Sequence, residues 1–152
     1  LIPQAVEILK NLTQNKIQYI LPLDVGVGNK PFDQISQAHR KDCLLKDIPE
    51  GHYIYDVGPA TVKEIQGVLR EAKTILMNGA YGTHLVLESM SQSQETVIIG
   101  GGDSASAVKK ARLNKIFESK SNLFISTGGG ASLEFIENGT LPGIEVLQDR
   151  LP

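Results

Sequence analysis

Val97-Ile98-Ile99-Gly100-Gly101-Gly102-Asp103-Ser104-Ala105 sets a short, continuous apolar run against three glycines and then against Asp-Ser, a pair that favours a helix start. The same order of residue types returns in Phe124-Ile125-Ser126-Thr127-Gly128-Gly129-Gly130-Ala131-Ser132. Two strand-to-glycine-to-helix junctions in succession imply an α/β chain, and the residues on either side agree. Strands are expected at Ile17–Leu21, Tyr53–Asp56, Thr74–Met77, Thr96–Ile99 and Asn122–Ile125, with Ile144–Leu147 as a further candidate. Ile75-Leu76-Met77 and Val97-Ile98-Ile99 are apolar on consecutive positions, as strands covered on both faces are. Helices are predicted over about Gln4–Asn15, from Pro59, over about His84–Ser91, from Asp103, and over Ala131–Asn138 with Gly139 as its stop. From Tyr53 onward the alternation predicts right-handed crossovers and an open parallel sheet with helices on both faces, a three-layer, Rossmann-like arrangement. The polar stretch Asn29–Glu50 reads as a long surface connection.

Ligands of such sheets bind at the carboxyl ends of the strands. Those ends carry Asp56-Val57-Gly58-Pro59, Asn78-Gly79, Gly100-Gly101-Gly102-Asp103-Ser104 and Ser126-Thr127-Gly128-Gly129-Gly130. A helix start presents unpaired N–H groups and partial positive charge, and glycines let an anion approach the backbone with no Cβ in the way. One such junction is explained equally well by the tight turn that glycine permits; two in successive units favour anion binding. Asp103 has two readings, a helix cap or a partner for Mg²⁺ held against a polyphosphate. Ser104 either donates to a phosphate oxygen or completes the cap, and Asn78 either donates to phosphate or belongs to an Asn-Gly turn.

Gly100-Gly101-Gly102-Asp103-Ser104-Ala105 fits a loose dinucleotide pattern, but the next strand ends in Ser126-Thr127 where a ribose-binding acid belongs, which counts against nicotinamide. The chain has no Walker-type lysine loop, no serine nucleophile elbow and no His/Cys spacing for zinc, and His39, His52 and His84 are scattered. Its 152 residues, 41% apolar, suffice for one core. Fifteen Lys and Arg against 17 Asp and Glu, a net charge of −2, give no bulk field for nucleic acid or an acidic membrane. The single cysteine, Cys43, cannot form an intramolecular disulfide, which suits a reducing, cytoplasmic setting. No apolar run reaches the roughly 18 residues of a membrane span. The opening Leu-Ile-Pro-Gln-Ala-Val reads as the interior of a fold, so the chain is expected to be a fragment.

In order, Asp56-Val57-Gly58-Pro59-Ala60-Thr61, Asn78-Gly79, Ile98-Ile99-Gly100-Gly101-Gly102-Asp103-Ser104-Ala105, Ile125-Ser126-Thr127-Gly128-Gly129-Gly130-Ala131-Ser132-Leu133-Glu134-Phe135 and Leu141-Pro142-Gly143-Ile144 resemble the phosphoglycerate kinase family. Leu21-Pro22-Leu23-Asp24-Val25 resembles a segment upstream in the same family. The resemblance spans nearly the whole chain, yet covers only the later part of the family's carboxyl-terminal, nucleotide-binding domain. It implies a cytoplasmic glycolytic phosphotransferase that moves a phosphoryl group between ATP and the carboxylate of 3-phosphoglycerate. Residues 1–152 are then an incomplete nucleotide domain, without the acid-substrate half, monomeric and inactive when alone.

The resemblance further implies that Gly101, Gly102 and Ser104 contact the phosphates of ATP or ADP, that Asp103 serves Mg²⁺, and that Asn78 approaches the phosphate chain. It places Gly128, Gly129 and Gly130 in the cleft near the transferring group, so that Gly102, Gly129 and Gly130 attend the chemistry. Two departures stand out. Asn78-Gly79 continues as Ala80-Tyr81-Gly82-Thr83, about ten residues shorter than the family's loop and without its ribose-holding glutamate. Tyr55 stands where the family has an aliphatic residue beside the nucleoside. The alternative these departures raise is a non-catalytic nucleotide- or anion-binding relative that has lost its ribose loop.

Overall fold

The computed structural model describes residues 1–31, 40–79 and 83–147, and the chain divides into two compact units, Leu1–Ile65 and Gln66–Pro152.

The first unit opens with α1 (Ile2–Gln14), which carries a proline in its first turn and ends where Lys16, at φ 55°, turns the chain so that Ile17 N–H reaches Leu12 O at 2.9 Å. Strands β1 (Asp24–Gly28), β2 (Lys41–Leu44) and β3 (Tyr53–Val57) form an antiparallel sheet in the order β2-β1-β3, with a 3₁₀ turn at Leu45–Asp47. The central strand is buried throughout, Val25 and Val27 supplying its apolar contacts. Its two glycines are a packing requirement: a Cβ on Gly26 would enter the Arg40 guanidinium, and one on Gly28 would enter the Tyr55 ring. Register runs from Gly26↔Asp56 to Val27↔Ile54, so Tyr55 is the extra residue of a bulge.

Helix α2 (Pro59–Glu71) starts at a proline, whose missing N–H would have been unpaired there anyway. Its cap comes from another element. The Asp24 carboxylate on β1 accepts from Ala60 N–H (2.9 Å), Thr61 N–H (2.8 Å) and Thr61 Oγ1 (2.8 Å). Burial pushes the Asp24 carboxyl up, but these donors outweigh it and hold the group below its ordinary value.

The second unit contains the expected α/β pattern. Strands β4 (Thr74–Asn78), β5 (Thr96–Gly100) and β6 (Leu123–Ser126) pair in parallel, in that order. They are joined through α3 (Thr83–Ser91), α4 (Gly102–Lys110) and α5 (Asn114–Ser119), and followed by α6 (Gly130–Asn138) and the single turn α7 (Pro142–Glu145). Ile75, Met77, Val97, Ile99 and Leu123 line one buried face, and Leu87 of α3, Val108 of α4 and Phe117 of α5 are buried with them. Each such side chain contributes about 1.5–3 kcal/mol. Packing of α4 on β5 and β6, of α3 on α4 and of α5 on β6 completes the flanking layer. The opposite face carries Leu76 (43% exposed) and Phe124 (52% exposed).

Four sequence expectations are corrected, one of them the surface connection Asn29–Glu50, which holds β2 and the Leu45–Asp47 turn. Tyr53–Asp56 does not head the parallel sheet; β3 runs antiparallel to β1, which the glycines of Asp-Val-Gly-Val-Gly concealed as a strand. Ile17–Leu21, despite its β-prone composition, is irregular, with Ile17, Tyr19 and Leu21 about half exposed. Ile144–Leu147 is not a strand, because Pro142 starts a helical turn through Glu145.

Candidate functional site

The three parallel strands end level, Asn78 in register with Gly100 and Gly100 with Ser126. From that edge the chain enters α4 at Gly102 and α6 at Gly130, so both helix starts stand side by side. Gly101 makes the first turn possible: it sits at φ 97°, a conformation open to glycine, and its N–H is taken by Ser126 O at 3.0 Å. Gly101 O then receives Ala105 N–H at 3.0 Å, the first bond of the helix. Among the described residues, the amides of Gly102, Asp103 and Ser104 have no acceptor. They are the orphan donors of the helix start, and they carry its positive partial charge.

Both helices begin without a side-chain cap. Asp103 therefore does not cap α4; its carboxylate stands exposed in the first turn. Among the described residues no group of three or more His, Cys, Asp or Glu forms a metal cage. One exposed carboxylate is enough to take part in holding Mg²⁺ where a phosphate ligand supplies further oxygens, since that ion is commonly held by one or two carboxylates together with phosphate oxygens. Ser104 is 1% exposed, and its Oγ accepts Gly79 N–H at 3.2 Å.

The two glycine runs touch through main-chain atoms. A Cβ on Gly129 would lie 3.1 Å from Gly101 Cα and 3.5 Å from Asn78 Oδ1; one on Gly101 would lie 3.2 Å from Asn78 Oδ1 and 3.7 Å from Gly129 Cα. At Gly102 and Gly130 an added Cβ meets nothing within 4 Å. Close packing thus explains Gly101 and Gly129, whereas open space lies over Gly102 and Gly130.

The structure brings Asn78, Gly101, Gly102, Asp103, Ser104, Gly129 and Gly130 to one edge. The fourth expected strand end, Asp56-Val57-Gly58-Pro59, belongs to the antiparallel unit. In that unit Tyr55 Oη donates to Lys30 O (2.7 Å) and accepts from Lys30 N–H (3.1 Å). His39 and the shortened loop Ala80-Tyr81-Gly82 lie outside the described residues. Sequence reasoning gave no role to two serines that fix the second loop: Ser126 Oγ accepts Gly128 N–H at 3.2 Å, and Ser132 Oγ donates to Gly128 O. Their signal was the placing of a hydroxyl on each side of the glycine run.

The family model described as phosphoglycerate kinase matches residues 1–139. Among curated relatives, the phosphoglycerate kinase of Pseudothermotoga lettingae is 38% identical over 157 residues, covering 96% of this chain and 38% of its own. That of Pelobacter propionicus is 39% identical over 157 residues, covering 97% and 37%. The solved phosphoglycerate kinase from Coxiella burnetii superimposes with a TM-score of 0.80 at 26% identity, over 94% of this chain and 37% of that one. The enzyme from Pyrococcus horikoshii shares the fold, with a TM-score of 0.61 at 23% identity over 91% and 36%. The chain spans less than two fifths of the length of the relatives it matches.

Proposed function

The chain belongs to the phosphoglycerate kinase family, and on that premise we propose that it forms the phosphate-binding part of a Mg-nucleotide site. The parent enzyme transfers a phosphoryl group reversibly between ATP and the carboxylate of 3-phosphoglycerate, in the cytoplasm. No helix among the described residues is long and apolar enough to cross a membrane. The observation that carries the reading is the pairing of unpaired, exposed amides at Gly102 and Asp103 with open space over Gly102, beside a second glycine junction in register.

Phosphoryl transfer asks the protein for position and charge neutralisation rather than covalent help. The exposed amides of Gly102 and Asp103 donate to phosphate oxygens, and the α4 terminus adds about 0.3–1 kcal/mol of favourable potential for an anion. The start of α6, at Gly129 and Gly130, faces the group in transit, where preorganised donors stabilise developing charge best. Asn78 sits against both loops and orients the phosphate chain between them. Asp103 is the residue that would hold Mg²⁺, and the ion would supply charge neutralisation to the phosphates. The acid-substrate half lies elsewhere in the parent enzyme, and closure between the halves excludes water.

Isothermal titration of the chain with Mg-ADP tests this reading. Wild type binds, Gly102→Ala weakens binding about tenfold or more because a methyl group fills the approach to the amides, and Asp103→Asn loses the gain in affinity that Mg²⁺ confers. Absence of binding by wild type, or unchanged affinity in Gly102→Ala, overturns it.

A further inference from the structure

The Ser104 hydroxyl is out of reach of any ligand arriving from solvent, since the residue is 1% exposed and Oγ already receives Gly79 N–H at 3.2 Å. The bond spans 25 positions in sequence and ties the end of β4 to the first turn of α4. Gly79 sits at φ 122°, so the chain makes a sharp departure from β4 at the residue whose amide Ser104 holds. The preceding residue is Asn78, whose Oδ1 lies 3.2 Å from the place a Gly101 Cβ would take and 3.5 Å from that of a Gly129 Cβ. The hydroxyl therefore holds the residue next to Asn78, whose side chain lies against both glycine junctions.

We propose that the Ser104 side chain is a positioning residue: its hydroxyl fixes the Asn78-Gly79 corner, and through it the relative placing of the two glycine loops, without itself touching the ligand. The consequence for affinity rests on the nucleotide reading above; the hydrogen bond itself does not. Removing the hydroxyl leaves a part-buried N–H unpaired and frees the corner, and the expected loss is the factor that one such bond carries, about tenfold. Ser104→Thr keeps the hydroxyl and serves as the conservative variant.

The test combines amide exchange at Gly79, followed by NMR in the free chain, with Mg-ADP titration of wild type, Ser104→Ala and Ser104→Thr. In wild type Gly79 N–H is protected; in Ser104→Ala it exchanges about tenfold faster and Mg-ADP binds about tenfold more weakly; Ser104→Thr restores both. An unprotected Gly79 amide in wild type overturns the proposal with no variant needed, so a poorly folding Ser104→Ala leaves it testable. Affinity unchanged in Ser104→Ala, or equally weakened in both variants, overturns it as well. Wild type that protects Gly79 yet fails to bind Mg-ADP sinks the nucleotide reading and leaves the hydrogen bond standing.

Discussion

At the scale of single residues, the glycines of the two junctions divide by what surrounds them. Gly129→Ala drives a methyl group to 3.1 Å from Gly101 Cα, main chain against main chain, and is expected to cost about 1–3 kcal/mol in urea unfolding. Gly102→Ala meets open space and should keep or raise stability by up to about 1 kcal/mol in the same assay, while it weakens anion binding. Loss of binding without loss of stability separates a ligand approach from a tight turn. Asp24 gives a prediction in pH. Its carboxyl is depressed from the ordinary 3.8, so its contribution is fully present above that value and is lost as pH falls through the lower folded value. Asp24→Asn should cost about 1–3 kcal/mol at neutral pH and flatten the acid limb of a stability curve measured by urea unfolding at successive pH values.

At the scale of elements, α6 ends as its sequence announces, with Gly139 at φ 74° and its N–H on Phe135 O at 2.8 Å. Gly139→Ala is expected to cost about 1 kcal/mol, read as a lower midpoint in thermal denaturation. The elements legible in sequence were those with local signals: a proline opening α2, a glycine closing α6, apolar runs for β4, β5 and β6. β1 was illegible because the residues that fill the places of its missing Cβ atoms, Arg40 and Tyr55, come from other parts of the chain. Ile17–Leu21 misled for the opposite reason, since its strand-like composition finds no partner strand among the described residues. The short helix α5 escaped notice because its buried contribution rests chiefly on one residue, Phe117.

At the scale of the molecule, the glycine junctions were readable because strand ends and helix starts converge at one edge of any parallel sheet, which makes their composition a guide to the site. The role of Ser104 was not, since a hydroxyl in the first turn of a helix reads as a cap whether it points back along its own helix or across to Gly79. The open sheet face at Leu76 and Phe124 predicts that the chain associates as its concentration rises. Phe124→Lys should reduce that association in light scattering and leave the thermal midpoint unchanged. Finally, the carboxylate that receives the first amides of α2 lies 36 and 37 positions earlier in the chain. That helix start is unfinished until β1 has been delivered to it, so a distant loop must close before the turn gains its partner. Nascent α2 should accordingly fray at its front and tighten only late in folding, in step with the antiparallel strands.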